Sequence, residues 1–397
     1  MSRAIKGDWI DAYLEYTADT ESPRSYHVWT ALSCIAGALQ RKCYMQWGHE
    51  MIYPNMYVIL VGSAGRTRKS MAINIGQDIF KDLDLPLASE SITPQALLLK
   101  MKKAEDNFID PQGIVHTHSS ITCFSKELVT LIGHSNYEYL GYLTDWWDSH
   151  EEWVNETIGR GIDPVQGMHL NILGATAPDW IATMFPIEAI GGGFTSRCIF
   201  IVEVNKQKHV PLPRLSNAQK KLRQALAHDL RLIALLQGEF SFDATTAEEY
   251  KIWYIRESEN MQKEEYAIPD PRFRSYCERR STHLRKMCIS LQASNTNSRT
   301  LNIDTWNRAL AILLETEKLM PDVFGGLGRS EHGQVTYDIL VWIQKRRQIS
   351  KEKLFKHFYK ECTWRTFNDV IDGLRASKLI DMDLKTQMLF IPEDIIS

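Results

Sequence analysis

This chain lacks most of the features that make a sequence easy to place. No run reaches the roughly 18 uninterrupted apolar residues of a membrane-crossing helix, and the opening stretch, MSRAIKGDWIDAYLEY, has no apolar core ahead of a cleavage site. The expectation is a soluble protein with no membrane partner. Seven cysteines form no C-x-x-C pair and are odd in number, which argues against a zinc site and a closed disulfide framework and fits a reducing cytoplasm. Neither a G-x-S-x-G turn nor a Cys–His arrangement supports nucleophilic catalysis. An excess of one charge is also lacking: 46 Lys and Arg stand against 49 Asp and Glu, a net of -3. Bulk charge therefore cannot hold a polyanion, and any nucleic-acid contact must come from a local basic surface. No internal repeat or low-complexity tract interrupts the chain.

What is there reads as an ordinary globular composition over 397 residues, long enough for two or three domains. Residues 1–50 read as helical, with Tyr26, Trp29, Leu32, Ile35 and Leu39 at spacings near three and four. Four short apolar runs follow, at Met56–Val61, Ile121–Phe124, Leu170–Ala175 and Cys198–Val202, separated by helical segments. That pattern predicts an α/β core over 51–205 with a mostly parallel sheet covered on both faces. The polar, proline-bearing KQKHVPLPRLSN opens a helical subdomain over 206–328, and Gly325-Gly326-Leu327-Gly328 is the clearest boundary. Residues 329–397 predict three helices (Val335–Arg347, one after Ser350, one from Thr363) and a β-hairpin of Leu379–Met382 with Met388–Ile391, the plan of a winged helix.

The first apolar run leads into VGSAGRTRKS. A phosphate-binding loop, G-x-x-x-x-G-K-[ST], needs glycines that let backbone N–H groups turn onto phosphate oxygens, a lysine for the outer phosphates and a hydroxyl for magnesium. Gly62, Ser63, Ala64, Gly65, Arg66, Thr67, Arg68, Lys69 and Ser70 supply such a cradle for ATP, with Lys69 on the phosphates and Ser70 on Mg2+. Two departures are plain: the glycines sit one residue too early, and Arg68 stands where glycine is usual. These residues alone fit either a nucleotide site or a basic strand-to-helix turn.

The second run ends in Ser125-Lys126-Glu127. Glu127 is the candidate for activating water, although Lys126 occupies the position of the usual magnesium-holding aspartate. The second magnesium ligand is left unassigned or passed to Ser125 through water, and an exposed glutamate opening the next helix is the plain alternative for Glu127. Thr176 brings a hydroxyl to the end of the third run, where ligands of open α/β sheets gather. DWWDSHEEW, residues 145–153, reads as an amphipathic helix with tryptophans inward rather than a carboxylate metal site. His116 and His118 have no spaced partner that would complete a metal site.

Taken in order, W-T-A-L-S…A-G-A-L, P-N-M-Y-V-I-L-V-G…R-K-S, I-T-P-Q-A-L, F-S-K-E-L, L-G-A-T-A-P-D-W and G-G-G-F-T-S-R-C-I-F-I resemble an uncharacterised family of helicase-like ATPases of phages, prophages and mobile elements, over residues 9 to 320. Loops ending in Arg-Lys-Ser are tolerated in that family. The same order is similar to that of AAA+ replicative helicases. The resemblance implies a P-loop NTPase core, Thr176 as a polar sensor, and Arg197 as an arginine finger reaching the nucleotide of a neighbouring subunit. It further implies a homo-oligomer, a hexameric ring being the form usual for such motors, in the cytoplasm of a bacterial host. Arg279, Arg280 and Arg285 fall where such folds place a second arginine, and a pore loop is expected between Glu127 and Arg160.

Between residues 345 and 378, ten lysines and arginines face four acids, a local net of +6. Lys345, Arg346, Arg347, Trp364 and Arg365 are the candidate nucleic-acid contacts, with Thr366 beside them. The leading expectation is thus an ATP-dependent, ring-forming DNA helicase or translocase acting in replication. The alternative is a nucleotide-regulated DNA-binding protein, an initiator, helicase loader or regulator, with little ATP turnover.

Overall fold

The computed structural model describes residues 2–110, 113–134, 136–157, 161–185, 189–324, 333–383 and 386–392. Two compact units emerge, Met1–Pro321 and Asp322–Ser397, so the segments 1–50, 51–205 and 206–321 pack together. The glycine-rich boundary at 325–328 lies outside the described residues.

In the first unit, α1 (Trp9–Tyr16) and α2 (Arg24–Leu39) precede β1 (Cys43–Trp47), β2 (Glu50–Ile52) and β3 (Tyr57–Val61). Then come α3 (Lys69–Lys81), α4 (Pro94–Lys103), β4 (Glu105–Ile109), β5 (Val115–Ser125), α5 (Leu128–Ile132) and α6 (Tyr137–Asp148). A hairpin of β6 (Glu152–Thr157) and β7 (Gly161–Gln166) leads to β8 (Met168–Thr176), α7 (Pro178–Met184) and β9 (Cys198–Val202). The rest is largely helical: α8 (Asn217–Ile233), α9 (Ala244–Gln262), α10 (Arg274–Asn295) and α11 (Ile303–Glu317), with the short strands β10 (Gly238–Glu239), β11 (Ser241–Phe242) and β12 (Thr300–Leu301).

The central sheet runs β4-β5-β8-β3-β9. Its last four strands are parallel, and β4 is an antiparallel edge that hydrophobic patterning does not reveal, because only Phe108 of its five residues is buried. β3, β8 and β9 are buried at every position, as expected for strands covered on both faces. Alternate residues of β8 show the two covers. Asn171 Nδ2 donates to Ser33 O of α2 at 3.0 Å, whereas Gly174 leaves room for Leu128 of α5.

Every residue of α2 from Tyr26 to Leu39 is buried, since the helix touches the sheet, α3, α8 and α10. This packing joins the N-terminal and helical segments to the core. Several expectations change locally. Residues 43–52 are strands rather than helix: Cys43 and Tyr44 pair with Gly238 and Glu239, and Met45–Trp47 pair with β2. The polar HTHSS stretch belongs to β5, paired with β4. The helix through DWWD ends at Asp148, with Trp146 and Trp147 buried as expected, but Glu152 and Trp153 lie in β6.

The second unit contains α12 (Gly333–Arg346), β13 (Gln348–Ser350), α13 (Lys351–Phe358), α14 (Trp364–Ala376), β14 (Asp381–Asp383) and β15 (Met388–Phe390). Its hairpin is extended by β13, giving the antiparallel order β13-β15-β14. Ile339, Ile343, Leu354, Phe367, Ile371 and Leu389 form the centre of its core. The caps are local: Ser350 accepts from Lys353 N, and Thr363 from Thr366 N.

Candidate functional site

Parallel pairing brings the candidate residues to one edge of the sheet. Val61 is level with Thr176 and with Val202, and Ser125 is level with Gly174. Each chain continues outward from there, so the loop after Val61, Glu127 and Thr176 share the C-terminal end of the strands. Gly62 N donates to Thr176 O at 3.3 Å, joining the loop to the candidate sensor. Thr176 is itself buried, its hydroxyl donating to Ala177 O at 3.3 Å.

The anomalous residue of the loop has a specific conformation. Arg68 caps α3 with φ 56° and ψ 35°, in the left-handed region where glycine is favoured. Two contacts hold it there: its Nε donates to Glu21 Oε2 at 2.8 Å, and Ser22 Oγ donates to its carbonyl at 2.8 Å. The backbone therefore turns as a glycine would, and side-chain contacts from the N-terminal segment offset the strain. Glu21 also accepts from Lys206 Nζ at 2.6 Å and from Val210 N at 3.2 Å. The Lys206 bond, followed by the Val210 bond, holds its carboxyl down at about 2.

Gly62 and Gly65 are needed for different reasons. A Cβ on Gly62 would meet Thr67 Oγ1 at 2.5 Å, Tyr26 Oη at 2.7 Å and Glu203 O at 2.8 Å. Gly65 has open space but φ +69°. Ser63 to Arg66 are exposed, and Arg66 Nε reaches Asn205 Oδ1 at 2.9 Å beyond β9. Lys69 is buried and folds back onto its own loop, donating to Gly62 O and, at 3.4 Å, to Ser63 O. Burial lowers its pKa, while the nearby charge of Glu127 acts in the opposite sense. Ser70 and Glu127 are exposed.

The donor set fits a magnesium nucleotide. The amides of Lys69 and Ser70 open α3 with no partner among the described residues, an amine lies within the loop, and a hydroxyl and a carboxylate share its edge. Ser125 is less suited to a magnesium shell, because its buried hydroxyl donates to Glu127 O at 3.0 Å. Lys126 pairs with Glu90 at 2.7 Å. Sequence reasoning missed Glu21, Ser22, Tyr26, Glu203 and Asn205. None has a local signal, since each reaches the loop from at least 35 residues away in sequence.

Arg197 is elsewhere. It immediately precedes β9, so it sits at the N-terminal end of the same strands, on the order of 17 Å along the sheet from the loop for a five-residue strand. Its guanidinium grips Asp148 through Nη2 at 2.6 Å and Nε at 3.2 Å, and donates to Gly193 O at 2.9 Å. Arg280 is buried between Glu317 and Glu257, Arg285 lies over the Trp47 ring, and Arg279 lies at the Arg197 end. Of the expected pore-loop stretch, residues 135 and 158–160 lie outside the described residues.

In the second unit Lys345, Arg346 and Arg347 are exposed around the end of α12, and Trp364 and Arg365 are exposed in the first turn of α14. Arg346 covers the Trp342 ring at 3.3 Å. Trp364 is 49% exposed although Phe355 and Phe367 contact its ring. Among the described residues no hydrogen bond, ion pair or ring contact joins the two groups.

Compared with protein-family models the chain matches none, and no curated protein matches it either.

Proposed function

We propose that the chain is a P-loop ATPase that acts on DNA as a ring-forming helicase or translocase in replication. The observation that carries this reading is Arg68 held in a left-handed turn between β3 and α3, with Glu127 and Thr176 brought level with the loop. Arg347 and Lys378 share the positive φ of Arg68; what supports the reading at Arg68 is the buttressing by Glu21 and Ser22 next to Lys69. The strand order supports it too: β8, with Thr176, lies between the loop strand and the strand that leads to Glu127.

In this reading bound ATP and Mg2+ supply the reactive phosphoanhydride and the charge that polarises it. The loop amides and Lys69 would hold the phosphates, Ser70 would hold the magnesium ion, Glu127 would take the proton of the attacking water, and Thr176 would serve as the polar sensor beside the loop. Arg197 lies at the other end of the sheet from its own chain's loop, 8% exposed and paired with Asp148, so the finger role toward a second copy, in an oligomer of the bacterial cytoplasm, rests on the resemblance and requires that pair to open. The second unit's helix order, three-stranded sheet and exposed Trp364 and Arg365 support a winged helix that contacts DNA.

The test is ATP hydrolysis with and without single-stranded DNA, beside Lys69→Ala, Glu127→Gln and Arg197→Ala. Turnover stimulated by DNA and lost by about 100-fold or more in each variant is expected. Absence of ATP binding by the wild type overturns the proposal. The switch-like alternative, a nucleotide-regulated DNA-binding protein, draws on Lys126: its pairing with Glu90 leaves the usual second magnesium carboxylate without a counterpart. ATP binding without turnover would select it.

A further inference from the structure

At the N-terminal end of the strands, away from the loop, lies a cavity of about 590 Å³, within the range of small-molecule sites. Four cations from three separate places in the sequence line it: Arg41 after α2, Arg197 before β9, and Arg279 and Lys286 of α10. Lys286 is 3% exposed, Arg41 6% and Arg197 8%. Their partners are mostly neutral. Lys286 Nζ donates to Asn55 Oδ1 at 2.7 Å and to Trp147 O at 3.4 Å, and lies 4.2 Å from the Trp147 ring centre. Arg41 donates to Ser149 O and, at 3.2 Å, to Met168 O, with its guanidinium over Tyr53. Arg279 makes one long bond, 3.4 Å to Ser275 O.

Among the described residues, the one ion pair in this group is Arg197 with Asp148. Glu50 and Glu151 also line the cavity but are exposed, so solvent screens them more than it screens the cations. Asp148 also acts on Lys286 and Arg279, and Glu151 on Arg41, so the four cations face three carboxylates that are more exposed than Lys286, Arg41 and Arg197; buried positive charge in such excess is costly, and proteins retain it where a ligand supplies the opposite charge. Burial pushes the Lys286 amine down to about 7, so an arriving anion can restore its proton at neutral pH.

We propose that this cavity binds a small multivalent oxyanion of the phosphate class, the size of pyrophosphate, held by Lys286 and Arg279 with Arg41 and Arg197 completing the positive wall. The ligand is a free small molecule: the enclosing side chains come from different elements and surround a volume, whereas a nucleic-acid backbone is tracked by an exposed basic groove. This site is independent of the loop at the other end of the sheet.

Calorimetric titration of the full chain with inorganic pyrophosphate, without magnesium, tests it. The wild type should bind two equivalents, one at the loop and one in the cavity. Lys69→Ala should keep one, and adding Arg279→Gln to it should weaken that one at least tenfold with an unchanged melting curve. Arg279 is half-buried at the surface, so this variant keeps the fold where Lys286→Met could disturb it. A Lys69→Ala protein that binds none, or a double variant that binds as well as Lys69→Ala, overturns the cavity. One equivalent in both wild type and Lys69→Ala, weakened by Arg279→Gln, upholds the cavity and counts against the loop alone. Displacement of pyrophosphate by a short single-stranded DNA assigns the anion to nucleic acid and overturns the small-molecule statement.

Discussion

The two ends of the parallel strands carry positive groups in opposite ways. At the C-terminal end they belong to one stretch of nine residues, Gly62–Ser70, in which glycines, main-chain amides and Lys69 lie together. At the N-terminal end the cations are gathered from residues 41, 197, 279 and 286. A site made from the backbone of one turn can be read from its letters, and it tolerates a wrong letter only if other segments hold the turn. A site made from side chains of distant elements leaves no spacing to read.

The sharpest test of this contrast is Lys69→Ala. ATP turnover should fall by about 100-fold or more while Arg279-dependent pyrophosphate binding stays, which a hydrolysis assay and a titration on the same preparation would establish. If both disappear together, the two ends are not independent.

Acid should separate them next. At the cavity end, burial drives His283 down to about 3 and His118 to about 4, and pushes His169 well below its ordinary value, with neighbouring cations adding to the effect. Unfolded, each would take a proton near 6.5. Below that pH the unfolded state binds more protons than the folded one, so stability is full above about 6.5. It should decline by a few kcal/mol, in order of magnitude, as pH falls toward 4. Hydrogen exchange at pH 7.5 and 5 should show the starts of β5 and β8, and the start of α2 where burial holds His27 down to about 4, losing protection before the first turns of α3. Uniform loss would erase the distinction.

Smaller effects probe the loop itself. Gly62→Ala forces a carbon against the Glu203 carbonyl and two buried hydroxyls, at a cost of about 1–3 kcal/mol, whereas Gly65→Ala meets only the left-handed backbone, about 1 kcal/mol. Thermal melting of the two variants should rank them in that order. Arg68→Gly is expected to be smallest: relief of about 1 kcal/mol of backbone strain is offset by loss of the solvent-screened ion pair with Glu21. ATP affinity should stay within about twofold, under half a kcal/mol, because the turn is the same. A tenfold loss would mean that the guanidinium itself touches the ligand.

The apolar runs foretold the four parallel strands because continuous burial on both faces writes a continuous apolar string. β4 escaped since an edge strand buries little, and β1 and β2 since five- and three-residue strands sit beside a helix of the same apolar character. The second unit was nearly fully legible, its caps at Ser350 and Thr363 being local signals, and β13 was missed as three residues without a pattern of their own. Glu21 could not be foreseen as a partner of Arg68, nor Asp148 as a partner of Arg197, because each pair is separated by more than forty residues.

By itself the sequence determined the α/β alternation, the strand-loop-helix carrying Lys69 and the basic C-terminal segment, all of which depend on neighbours a few residues apart. Only the tertiary structure decided that Arg68 turns as glycine does, that Arg197 lies at the other end of the sheet from its own loop, and that four cations enclose one cavity. Each of these is a matter of which distant side chains meet, and packing in three dimensions sets that.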